Sequence, residues 1–233
     1  MPKQSKLYKK QSESIDFDRF YTLAEALEIL KTIPHVKFDE SIDIAIKLGI
    51  DPRQSDQNVR TAVALPKGTG KSVKVAVVAA DASADQAKEA GADFVGMEDL
   101  ISKMKDGWLD FDILIATPDA MKQVRPLGRL LGPRGLMPNP KTGTVTDNVA
   151  AAVKMAKAGR VECRADKGGC VHALIGKVSF SAEDLAENCE AIMQALLRAK
   201  PPASKGTYIQ KCAISSTMSP GIKIDTKDLV KAV

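Results

Sequence analysis

The sequence predicts a split α+β domain, built from residues 1–66 and 160–233, interrupted by an inserted α/β domain at 67–159. Three observations carry this. Strand-like segments in the two flanks alternate polar and apolar residues, whereas those in the middle are continuous apolar runs of the kind a parallel sheet buries on both faces. Each flank also supplies one amphipathic helix able to cover a sheet. The length of 233 residues suits one large domain or two small ones.

Taken in order, Thr22-Leu-Ala-Glu25 reads as a capping box opening a helix that ends before Pro34, with Leu23, Ala26, Leu27 and Leu30 on one stripe. Ser41 to Leu48 alternates strictly, Ile42, Ile44, Ile46 and Leu48 facing one way. Turn residues follow, then a strand over Asn58 to Leu65. The inserted part begins at Pro66-Lys-Gly-Thr-Gly-Lys71. Its strands are expected at Val73–Ala80, Phe94–Val95 and Asp112–Thr117. Its helices are expected at Ser83–Ala90, Asp99–Lys105, Ala120–Leu131 and Asp147–Ala158, with a proline-rich loop from Gly132 to Gly143 and Gly159 closing the unit. Alternating strands return at Arg160–Arg164 and Val171–Val178. A long helix from Ser181 to about Lys200 carries the stripe Leu185, Ile192, Leu196 and Ala199 and stops at Pro201-Pro202, and Thr207–Ser215 is the final strand. Two chain crossings, with Gly68, Gly70 and Gly159 at their turns, form the expected hinge.

Composition excludes several classes. Hydrophobic residues make up 44% and charged residues 27%, values of a folded protein rather than a disordered one. The apolar runs fall far short of the roughly 20 residues that cross a bilayer, and the basic N-terminus has no secretory apolar stretch, so a cytoplasmic protein without a membrane partner is expected. Cys163, Cys170, Cys189 and Cys212 lack the density of a disulfide scaffold and read as reduced thiols. Cys163, Cys170 and His172 lack a paired zinc-knuckle spacing, so no metal or other cofactor is expected. Aromatic residues, at 4%, are too few for a broad stacking platform.

The net charge of +5 is modest, but its distribution is not even. Met1–Ser12, Ala120–Thr146 and Ala191–Ile224 hold four, five and five basic residues with no acid among them. Such segregation points toward nucleic acid. Enzymatic signals are weak by comparison. Gly70-Lys-Ser72 matches the end of a phosphate-binding loop, yet Leu65 stands where its first glycine belongs and a strand follows instead of a helix. No nucleophile constellation is present, His35 and His172 lack an evident carboxylate partner in local sequence, and Asp110 with Asp112 read as the wet edge of a strand. A nucleotide-binding α/β enzyme and a general DNA-binding module are the alternatives to an RNA-binding protein.

The most unusual stretch is Leu131-Gly-Pro-Arg-Gly-Leu-Met-Pro-Asn-Pro-Lys-Thr-Gly-Thr-Val145, a stiffened loop holding Arg134 and Lys141. Together with Lys37-Phe-Asp-Glu-Ser41, Leu48-Gly-Ile-Asp-Pro-Arg53, Ser55-Asp-Gln-Asn-Val-Arg60 and Ser216-Thr-Met-Ser-Pro220, it resembles the ribosomal protein L-one family of the large subunit in its bacterial form. The resemblance spans essentially the whole chain. It implies an α+β domain from both termini with a Rossmann-like insert. It also implies a monomer when free, bound in the ribosome to large-subunit ribosomal RNA of the mobile stalk near the tRNA exit site, assisting release of deacylated tRNA and repressing translation of its own operon mRNA.

The RNA surface that the resemblance implies includes Lys37, Phe38, Ser41, Lys167, His172, Thr217 and Met218. Lys177 and Lys211, with Lys37 and Lys167, are placed to neutralise phosphates, while Arg134 and Lys141 offer a second RNA contact, to the exit-site tRNA. The family commonly has glycine after this methionine, whereas here Ser219 stands at the RNA surface, where a side chain can tilt a backbone contact.

Overall fold

The computed structural model describes residues 5–226, which divide into two units. The first joins the chain up to Gly70 with the chain from Val161 onward, and the second is Lys71–Arg160.

In the first unit, α1 (Lys6–Glu13) starts at Ser5, whose hydroxyl accepts the Tyr8 N–H, and Gln11 on its inner side is fully buried. No element is expected from the sequence in this basic window, whose Lys3 lies outside the described residues. Helix α2 (Leu23–Thr32) has the expected capping box, Thr22 and Glu25 each bonding the other's backbone N–H. Strand β1 (Ser41–Leu48) buries Ile42, Ile44, Ile46 and Leu48 at 1% exposure or less. It is followed by β2 (Arg60–Ala64).

The second unit consists of β3 (Val75–Val78), α3 (Asp81–Glu89), β4 (Phe94–Gly96), α4 (Glu98–Lys105), β5 (Ile113–Ala116), α5 (Met121–Val124), α6 (Gly128–Leu131) and α7 (Val149–Lys157). Its strands form a parallel sheet in the order β4-β3-β5. Alternate residues of β3 feed two cores. Ala76 and Val78 pack with Leu100, Met104 and Val124, while Val75 and Val77 pack with Ala87, Val149 and Val153. That is why the strand reads as an unbroken apolar run. The single helix expected over 120–131 is instead two four-residue turns separated by a 3₁₀ turn at Arg125–Leu127, because Pro126 has no N–H to donate. Asp110 and Asp112 are more than a wet strand edge: Asp110 binds the Lys74 ammonium at 2.8 Å and Asp112 accepts the Lys74 N–H at 2.9 Å, fixing the entry to β3.

Back in the first unit, β6 (Arg160–Arg164) pairs with β2, and β7 (Cys170–Lys177), α8 (Ala182–Arg198), β8 (Ile209–Ser216) and β9 (Ile222–Ile224) complete the fold. The sequence did not reveal the three-residue β9. The four-stranded sheet is antiparallel in the order β7-β1-β8-β9. One face packs on α2 and α8 through Leu27, Leu30, Leu185, Ile192 and Leu196. The opposite face carries Ala45, Lys47, His172 and Ala213, and His172 stands exposed there.

The unit boundaries fall four residues beyond 66 and one beyond 159, and Asn188 supplies the reason for the first shift. This fully buried side chain of α8 accepts the Lys67 N–H at 3.1 Å and donates to the carbonyls of Gly68 and Ile175 at 3.1 and 2.8 Å. Gly68 and Gly70 have φ of 71° and 70°. A Cβ on Gly70 would sit 2.8 Å from Lys177 Cγ and 3.0 Å from the Phe180 ring. The Gly-Lys segment therefore belongs to the first unit as far as Gly70, and no helix follows it to form a phosphate-binding loop.

Candidate nucleic-acid interface

The sequence-predicted site residues fall into two groups along β1. Lys37, Phe38, Ser41, Lys177, Thr217, Met218 and Ser219 gather where β1 begins, β7 ends and β8 ends, since Ser41 pairs with Lys177 and Ile42 with Ser216. His172 lies opposite Ala45, and Lys211 opposite Lys47 at the far end. Six residues of strand at ~3.4 Å each put that far end about 20 Å away. Lys167 is exposed in the turn between β6 and β7. Arg134 is exposed in the second unit, and Lys141 belongs to that unit's 3₁₀ turn Pro140–Thr142.

The first group is organised by a residue that sequence reasoning passed over. Glu40 is 1% exposed, and both its carboxylate oxygens are saturated. Oε1 accepts the Val36 N–H at 3.1 Å and lies 3.3 Å from His35 Nδ1, while Oε2 accepts the Ser216 hydroxyl at 2.6 Å and the Met218 N–H at 3.0 Å. Burial alone would raise its pKa. The hydrogen bonds from Ser216, Val36, Met218 and His35 outweigh burial and hold it below the ordinary glutamate value. His35 thus has a carboxylate neighbour after all, five residues on, because the chain turns back between them. His172 Nε2 lies 4.0 Å from Asp166 Oδ2.

Around this buried charge two loops are locked together. The Ser41 N–H donates to Thr217 Oγ1 at 3.1 Å, and the same hydroxyl lies 3.4 Å from the Ser41 carbonyl. Lys177 Nζ donates to the Asp39 carbonyl at 3.0 Å, and Asp39 in turn accepts the N–H and hydroxyl of Ser179 at 3.2 and 2.9 Å. The Ser219 hydroxyl turns inward, accepting the Ser216 N–H at 2.8 Å and donating to the Pro220 carbonyl at 3.1 Å. With so many polar groups satisfied internally, the two apolar side chains of the corner are left outside: Phe38 is 55% and Met218 50% exposed. Lys37 is exposed beside them. Exposed apolar side chains on a rigid, hydrogen-bonded frame with a neighbouring cation suit contact with ribose and the shallow groove of an RNA helix.

The only hint of Glu40 in the sequence was an acid between an exposed-type aromatic and an alternating strand. Two of its partners lie about 180 residues away, so no local pattern could single it out. Among the described residues no group of three or more His, Cys, Asp or Glu is arranged to hold a metal ion, and no helix is long and apolar enough to cross a membrane.

The chain matches the Ribosomal protein L1p/L10e family over residues 29–220. Large ribosomal subunit protein uL1 of Teredinibacter turnerae is 57% identical over 229 residues, covering 98% of this chain and 99% of that protein. Its counterpart from Chromobacterium violaceum is 57% identical over 226 residues, 97% of this chain and 98% of that protein. That from Neisseria meningitidis serogroup C is 54% identical over 229 residues, 98% and 99%.

Proposed function

We propose, from the premise that the chain belongs to the ribosomal protein L1p/L10e family, that it is a structural constituent of the large ribosomal subunit in the cytoplasm, and not an enzyme. It binds large-subunit ribosomal RNA of the mobile stalk, assists release of deacylated tRNA at the exit site, and represses translation by binding its own operon mRNA. The observation that carries the RNA reading is the corner held by Glu40, which presents Phe38 and Met218 to solvent on a frame fixed by Ser41, Thr217 and Ser216. Lys37, Lys167, His172, Lys177 and Lys211 extend the RNA surface, Ser219 shapes its turn, and Arg134 with Lys141 supplies the second contact.

A gel-shift series with stalk RNA, the chain's own operon leader RNA and a duplex DNA of equal length tests this. Both RNAs are expected to bind well ahead of DNA. About four phosphate contacts, at ~0.7 to 0.9 per contact, give a log-log salt slope of roughly −3 to −4. A slope near zero, or DNA binding as tight as RNA, would sink the reading.

The hinge proposed at Gly68, Gly70 and Gly159 takes a more specific form. Lys67 and Gly68 are anchored by Asn188 and Gly70 packs against Lys177 and Phe180, so the first crossing pivots at 71–73, and the second at Gly159, whose φ is 97°. Proline at Gly68 or Gly70 is unsuitable as a probe, because its fixed negative φ contradicts these positive angles. Ser72→Pro is expected to narrow the distance distribution between labels at Ser102 and Lys205 while leaving stalk-RNA affinity within about threefold, ~0.7 kcal/mol. An unchanged distribution would place the pivot elsewhere.

A further inference from the structure

The open face of the four-stranded sheet holds a second feature, at the end of β1 away from Glu40. Lys47, Lys211 and Lys223 surround a groove of about 330 Å³ whose floor includes Ala45 and Ala213 and whose wall includes Phe20. Strand register makes it: Lys47 lies opposite Lys211, Ala45 opposite Ala213, and Ala213 opposite Lys223. Phe20 is 62% exposed, more than any other large hydrophobic side chain among the described residues. It is fixed by its neighbour Tyr21, which is buried, bridges Ile224 and donates its N–H to the Lys223 carbonyl at 3.0 Å.

Two of the rim lysines are held by backbone carbonyls. Lys47 donates to the Gly168 carbonyl, and Lys223 to the Phe17 carbonyl at 2.7 Å, and a carbonyl carries no net charge. Two acids lie near. Asp166 accepts the Cys170 N–H, the largest cause of its lowered pKa, and the field of Lys47 is among the lesser ones. Asp43 lies two residues from Ala45 on the same face, opposite Ser215. Three lysines thus rim an apolar floor of small side chains and one exposed ring, in a volume at the small end of ligand clefts, roughly 300–1,000 Å³. Aromatic ring and cations together are how proteins hold an unpaired nucleotide: the base stacks, and the flanking phosphates meet lysines. One phenyl ring suffices for one base, which fits the low aromatic content. We propose that this groove is a site for a single unpaired nucleotide of RNA, on the same sheet face as His172 and continuous with the interface described above. The choice of RNA as the polymer rests on the proposed function, while the groove's chemistry does not.

Cys170 borders the groove and is half-buried, whereas Cys163, Cys189 and Cys212 are buried and burial pushes their thiols up, to about 11 for Cys163 and about 12 for Cys212. N-ethylmaleimide at neutral pH therefore reports on Cys170 in the native full chain. Saturating pentauridylate is expected to slow its labelling at least fivefold. Phe20→Ala and, separately, Lys223→Gln should each raise the half-protecting concentration about tenfold while leaving affinity for a fully paired stalk-RNA hairpin unchanged. No protection by millimolar pentauridylate, undiminished protection in both variants, or protection by decanoate alone would overturn the site. Loss of stalk-RNA binding by the unaltered chain would instead refute the proposed function, and protection of Cys170 is read independently of it.

Discussion

Replacing Glu40 by alanine is expected to weaken stalk-RNA binding at least a hundredfold, about 2.7 kcal/mol, and to lower stability by about 3 kcal/mol. The carboxylate is the shared acceptor for Val36, Met218, Ser216 and His35, so its removal strands the Val36 and Met218 N–H groups in a buried site. Each such donor costs about 1–3 kcal/mol when left dry, while the Ser216 hydroxyl can rotate and recover part of its loss. The loop carrying Met218 and the one carrying Phe38 then lose their common anchor, and the RNA must order them on binding. Urea denaturation and gel-shift titration measure the two effects separately. A folded Glu40→Ala chain with unaltered RNA affinity would show that this corner is not the interface. The pH dependence has a definite sign. Because Glu40 titrates below its ordinary value, its contribution is complete above the unfolded carboxylate pKa of ~4.3 and disappears as pH falls through the lower folded value. Glu40→Gln should flatten that part of the acid limb.

How far the sequence reaches is clearest where partners are close. Strict alternation located β1 to the residue, and the Thr22–Glu25 pair located the start of α2, because both signals are complete within eight residues. The apolar run of β3 correctly implied cover on both faces. Prediction failed where a local rule was overruled by a nearby one, as at Pro126, and where the element is held by tertiary contact. Strand β9 has three residues and is held by β8 and by the Tyr21–Ile224 bridge, and α1 by the Gln11 amide donating to the Pro34 carbonyl at 2.8 Å. The same distinction divides the site. Phe38 and Met218 were named through motifs, but the Glu40 carboxylate that sets them and the engagement of Lys177 with Asp39 are products of register between strands far apart in the chain, while the inward turn of Ser219 rests on its bonds to Ser216 and Pro220 next to it.

Asn188→Leu is expected to destabilise the first unit by about 3 kcal/mol, although it replaces a buried polar side chain by an apolar one of similar size. In most core positions that exchange is mild. Here three backbone groups depend on the amide: the Lys67 N–H and the carbonyls of Gly68 and Ile175. Leucine offers none of them a partner, and Thr69, at 7% exposure, and the bond to the Ile175 carbonyl lie inside the fold, although Lys67 and Gly70 reach solvent. The loss should be local as well as global. Freed of Asn188, residues 67–70 keep the turn bond from the Gly68 N–H to the Leu65 carbonyl at 3.1 Å, the packing of Gly70, and the ion pairs of the Lys67 ammonium with Asp184 and Glu187 at 3.1 and 3.5 Å, and pairs so exposed hold a chain weakly. Tryptic cleavage after Lys67 and Lys71 in the native chain should therefore accelerate by more than the change in global unfolding accounts for. Cleavage that rises only in step with global unfolding would mean that packing of Gly70 against Lys177 and Phe180, rather than the amide, holds this crossing to the first unit.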